Sequence, residues 1–182
     1  TPDTPDTPDV PEVPAAPEVV ETPKAGTAYK FGMAQGNLEN KVYYLVGGMN
    51  GYYMATTEDA TAALDVYLEE TDGGYYLYAL IGGAKTYINM VVSGTHANGA
   101  YEAAASTVYS YNADYQTVVA MVNDVEYWFG TRNDNTYTTV GPCATKFNGF
   151  YCQFYAAGKT ETPDTPVVPD EPETPDTPVV PD

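Results

Sequence analysis

The sequence predicts an all-β module of about a dozen short antiparallel strands, carried between two tails that cannot fold. Three observations carry this. Fourteen of the fifteen prolines lie outside residues 25–159, while all eighteen tyrosines lie inside. Within that stretch, runs of Tyr, Val, Thr and Phe are broken by GG, NG, DG and ND pairs, which are strand and turn signals. Helical periodicity is absent; ATTEDATAALD is the best candidate for a short helical turn. The chain therefore divides into a Pro/Thr-rich linker at 1–25, a single β-rich module at 26–159 and a second linker at 160–182.

Both linkers place proline at about every third position, which fixes φ, removes backbone donors and pushes the preceding residue to extended geometry. They are expected to be disordered and polyproline-II-like, at about 3.1 Å per residue. Thirteen of the twenty-five acidic residues fall in them, so like charges keep them open. The expected role is that of spacers holding a monomeric module within a longer polypeptide. No apolar run approaches the roughly 20 residues that span a bilayer.

The strand candidates in order are AYKFGM, KVYYLVG, GYYMATT, LDVYLEET, GYYLYALI, KTYINMVV, AYEAAA, TVYSYNA, QTVVAMV, VEYWFGT, TYTTVG, ATKF and FYCQFYA. They fall into three rough copies, the third short by one strand. AYKFGM completes it if it pairs beside FYCQFYA, as the two ends of a trefoil do. A β-sandwich or an OB-like barrel is the alternative.

Alternation along a strand assigns faces. Val66 and Leu68 point inward, so Tyr67 points out beside Asp65 and Glu69. Ile88, Met90 and Val92 point inward, leaving Tyr87 and Asn89 outside. Val125, Tyr127 and Phe129 form an inner set, which turns Trp128, the single tryptophan, outward with Glu126. Thr107, Tyr109 and Tyr111 share one face. Each Tyr-Tyr pair is expected to put one ring in and one out.

Outward aromatic rings beside Asn, Asp and Arg suit a neutral sugar polymer. The C–H face of a pyranose packs on a ring that loses little rotamer entropy, and its hydroxyls need polar partners on a rigid scaffold. The candidate ligand-binding residues are Trp128, Tyr87, Asn89, Tyr67, Tyr109 and Tyr111, with Arg132, Asn133, Asp134 and Asn135 from the loop that follows Trp128. That loop also reads as an ordinary Asn/Asp turn. His96 lies in a Gly-bounded run that reads as a loop.

Charge and motifs narrow the function further. The module holds twelve acids and six bases, a net of −6 with no basic stripe, which disfavours nucleic acid and anionic membranes as partners. With one histidine and no GxSxG, Walker or GxGxxG motif, no catalytic residue is assigned and the chain is not expected to be an enzyme. No cofactor is implied, and no metal, because two cysteines and a distant histidine lack a fourth ligand. Cys143 and Cys152 read either as a hairpin disulfide or as two small apolar residues near the core.

KVYYLVGGMNGYYMATT, GGYYLY and KTYINMVVSGTH, framed by Thr-Pro linkers, resemble modules of the starch adherence system proteins of the amylosome in gut Firmicutes. The likeness covers roughly residues 29–155 and rests on composition and strand style, with no catalytic motif. It implies a secreted, cell-surface, non-catalytic module that binds starch-type α-1,4-glucan. A structural or adhesive protein-interaction module is the competing expectation.

Overall fold

The computed structural model describes residues 18–35, 41–93, 96–131, 138–142 and 150–157. Among these the chain is all-β, as its alternation requires. The strands are β1 (Val19–Val20), β2 (Ala28–Gln35), β3 (Val42–Asn50), β4 (Tyr53–Thr57), β5 (Val66–Thr71), β6 (Gly74–Ile81) and β7 (Ala84–Ser93). They continue as β8 (His96–Glu102), β9 (Val108–Asn112), β10 (Thr117–Val122), β11 (Val125–Thr131), β12 (Thr138–Pro142) and β13 (Phe150–Ala156). Every ladder is antiparallel.

The turn chemistry sets the hairpins. Gly82 and Gly83 both take positive φ between β6 and β7, and Asn123 and Asp124 do the same between β10 and β11. Two successive left-handed residues make the tight turn whose twist matches paired strands. The stretch expected to form a helical turn instead runs from β4 into a turn. There the Asp59 carboxylate accepts from the Thr61 N–H at 2.8 Å and from its hydroxyl at 2.7 Å. Asp offers this local bond more cheaply than a helix start would.

The pairings repeat in threes. β2, β6 and β10 each pair with the following strand, β3, β7 and β11. Those in turn pair with β4, β8 and β12. β5 joins β2, β9 joins β6, and β13 lies antiparallel to β2. AYKFGM thus does sit beside FYCQFYA, with Phe31 opposite Phe154. β10 reaches β13 through Thr117, whose hydroxyl accepts from the Cys152 N–H at 2.8 Å. β6 can lie against β9 because residue 74 is glycine: a Cβ there would stand 2.1 Å from the Tyr109 carbonyl oxygen.

The inner faces meet in one core that includes Phe31, Leu45, Leu77, Ile88, Phe129 and Phe154. Burying each such side chain is worth about 1.5–3 kcal/mol. Three local expectations change. Val19 and Val20, assigned to the first linker, pair with Tyr155 and Phe154 of β13. His96, assigned to a loop, opens β8 opposite Ser93. Tyr43 and Tyr44 are both buried, Tyr44 against Tyr155, while Tyr52 and Tyr53 are both exposed at the β3–β4 turn. Cys152 is buried in the core; Cys143, its suggested partner, lies outside the described residues.

Candidate functional site

Three strands build an aromatic shelf on the outer face. In β5, Val66 and Leu68 are buried, so Tyr67 and Glu69 take the other side. In β6, Leu77 and Ala79 are buried, which turns Tyr76, Tyr78 and Leu80 outward. In β7, Ile88 and Met90 are buried, so Lys85 and Tyr87 share that outer face. Register then decides which rings meet: Tyr67 lies opposite Tyr78, and Tyr78 opposite Tyr87.

The result is a row of three rings across three strands. Tyr67 and Tyr78 stack with centroids 5.4 Å apart and planes at 19°. Tyr78 and Tyr87 meet at 6.1 Å and 61°, and Tyr76 meets Tyr87 edge-on at 6.3 Å. All four rings are half-buried. Each such pair adds about 0.5–1.5 kcal/mol beyond its buried area.

A charged pair fixes the rim. Lys85 forms an ion pair with Glu69, and the Tyr87 hydroxyl donates to the same carboxylate at 3.0 Å. The Lys85 ammonium also stands 4.3 Å above the Tyr78 ring centre and 4.9 Å above that of Tyr87, a cation–π arrangement. The Lys85 bond, then the Tyr87 bond, holds the Glu69 carboxyl below the usual carboxylate range, and the same contacts push the Lys85 ammonium up. Burial, then the Asp65 charge and Tyr78, pushes the Tyr67 phenol up. A carboxyl held ionised by a cation is a poor proton donor near neutral pH. Among the described residues, no three His, Cys, Asp or Glu converge as metal ligands do.

Of the residues singled out from sequence, Tyr67 and Tyr87 belong to this shelf. Trp128 does not stand out in solvent: it is 7 % exposed. Alternation does put it on the side opposite Phe129, yet its cross-strand neighbour Val119 is also buried, at 1 %. That part of the outer face is covered, which strand periodicity cannot reveal. Asn89 is likewise buried rather than outward. Its amide donates to the Ala104 carbonyl at 2.8 Å and to Glu102, and its carbonyl accepts from the Ser106 N–H at 3.0 Å. It ties down the connection between β8 and β9. Tyr109 is buried too, with its hydroxyl donating to the Ile88 carbonyl at 2.9 Å, while Tyr111 remains exposed near the end of β9. Arg132, Asn133, Asp134 and Asn135 lie outside the described residues.

Tyr76, Tyr78, Glu69 and Lys85 were not picked out from sequence. The alternation of GYYLYAL around Leu77 and Ala79 contains the signal for both tyrosines. The role of Lys85 depends on register and was not readable.

The threefold pairing singles out the same place again. Gly32–Tyr44, Tyr78–Tyr87 and Val119–Trp128 are corresponding cross-strand pairs, each followed on the second strand by a core residue, Leu45, Ile88 or Phe129. Tyr44 is buried against Tyr155 at 5.6 Å, an approach that Gly32 permits, since a Cβ there would stand 2.7 Å from the Tyr155 ring. Trp128 is covered. Of the three, Tyr87 is the ring that solvent reaches. No family model, curated protein or solved structure matches the chain.

Proposed function

We propose that this chain is a non-catalytic saccharide-binding module that rests a neutral glucan chain on the shelf formed by Tyr67, Tyr76, Tyr78 and Tyr87. The observation that carries this reading is the in-register row of three half-open tyrosines with ring centres 5.4 and 6.1 Å apart. Aromatic rings offer apolar area to sugar C–H groups. Glu69 and the tyrosine hydroxyls offer acceptors and donors to sugar hydroxyls.

The resemblance of the sequence to amylosome starch adherence proteins favours starch-type α-1,4-glucan. It also favours a secreted, cell-surface setting in which a trefoil-like module works as one part of a longer polypeptide. Extended Thr-Pro linkers would then let several modest sites act together through effective concentration. The test is electrophoresis through a native gel containing amylopectin. The module is retarded, and Tyr87→Ala or Tyr78→Ala releases it.

One observation favours a second reading, a protein-interaction module. The β3–β4 hairpin presents Tyr52 at 84 % exposure beside exposed Met49 and Tyr53, and apolar groups gathered at a tip suit a partner surface. Full retardation of a Tyr52→Ser variant in the glucan gel separates that tip from the shelf.

A further inference from the structure

A cavity of about 280 Å³ lies at one end of the core, away from the shelf. Its wall holds four aromatic residues, Tyr75, Tyr109, Tyr111 and Phe154, together with Pro23 and Glu21 from the segment that follows β1. Ser110 and Thr22 supply its remaining polar groups. Each ring comes from an element already fixed. Tyr75 lies opposite Tyr109 across β6 and β9, and Phe154 lies opposite Val20. The Tyr109 hydroxyl is engaged by the Ile88 carbonyl, and its ring stacks on Phe129 at 6.2 Å. What Tyr109 offers the cavity is therefore its ring. Glu21 is exposed at the rim, and its carboxylate makes no hydrogen bond or ion pair with the described residues.

We infer that this cavity is a binding site for a small organic cation of the alkylammonium class. Four aromatic residues line this volume with a carboxylate at its edge, a composition that supplies the π systems and the counter-charge such a cation needs. A sugar unit is poorly served there, since most of its hydroxyls would face rings and leave water without replacement bonds. The acidic excess of the module, a net of −6, favours cations over anions near its surface. The inference stands apart from the glucan reading, because no shelf residue lines the cavity.

The test is an NMR titration of the full 182-residue chain with choline and with phosphocholine at constant ionic strength. 3,3-Dimethylbutan-1-ol, the uncharged isostere of choline, serves as control. Saturable shifts of the Tyr75 and Tyr111 ring resonances are expected with a cation, and binding of the neutral isostere at least about fivefold weaker. Tyr111→Ala, which removes an exposed ring, and Glu21→Gln each weaken the cation by about threefold or more, while retardation by amylopectin stays unchanged in Glu21→Gln. If choline and phosphocholine both leave these resonances unmoved, or if the neutral isostere binds as tightly as choline, the inference is overturned. A shelf that failed to bind glucan would leave this result untouched.

Discussion

Tyr87 and Trp128 hold corresponding positions in the β6–β7 and β10–β11 hairpins, one opposite Tyr78 and the other opposite Val119, yet Tyr87 is half-open while Trp128 is 7 % exposed. The same backbone place serves as a surface shelf in one repeat and as packing in the next. The two rings should therefore respond to truncation in opposite ways. Trp128→Ala should destabilise the module by about 3–5 kcal/mol, the cost of removing a large buried ring. Tyr87→Ala should cost about 1–2 kcal/mol through its lost ring pairs but should abolish glucan retardation. Urea unfolding curves beside native glucan gels measure both.

Lys85 covers the rings of Tyr78 and Tyr87 from above, so a sugar stacked on those faces must displace it. An exposed ion pair of this kind contributes little, which makes the displacement cheap. Lys85→Met should keep the aliphatic stem, free the ring faces and tighten glucan binding by about two- to fivefold. Weaker binding by Lys85→Met in isothermal titration would instead assign the ammonium a direct hydrogen bond to sugar.

The Glu69–Lys85 pair also fixes a pH window. The Glu69 carboxyl is held below its ordinary value of 4.5, so its contribution is present above that value and is lost as pH falls through the lowered one. The Lys85 ammonium is raised above its ordinary 10.5, so its contribution is present below that value and disappears only at more alkaline pH. The pair is therefore intact across the neutral range and opens in acid. A carboxyl-carbon NMR titration should place Glu69 below 4.5, and Lys85→Met should move it upward.

Asn89 is buried and clamps the β8–β9 connection. Asn89→Ala removes the partner of the Ser106 N–H and the Ala104 carbonyl, at about 0.5–1.5 kcal/mol for each lost hydrogen bond. Amide exchange at Ser106 should accelerate by at least about tenfold, with glucan affinity reduced far less than by Tyr87→Ala.

Much of the fold was legible in the chain. Glycine pairs and Asn123-Asp124 marked tight hairpins, alternation placed Val66, Leu68 and Ile88 inside, and the short third repeat predicted the partnership of AYKFGM with FYCQFYA. The candidate site was only half legible. Alternation placed Tyr67 and Tyr87 on the outer face, but it says nothing about what lies over that face. Trp128 and Asn89 were misread for that reason: one is covered beside Val119, and the other is engaged by the β8–β9 connection. The Lys85 contact needed the register of β6 on β7, which depends on the Gly82-Gly83 turn closing at that one place.

The most direct test of the shelf is an NMR titration of the module with a linear maltooligosaccharide, read at the tyrosine ring resonances. The account predicts saturable shifts concentrated on Tyr67, Tyr76, Tyr78 and Tyr87, lost in Tyr78→Ala; shifts confined to other residues, or none at all, would contradict it.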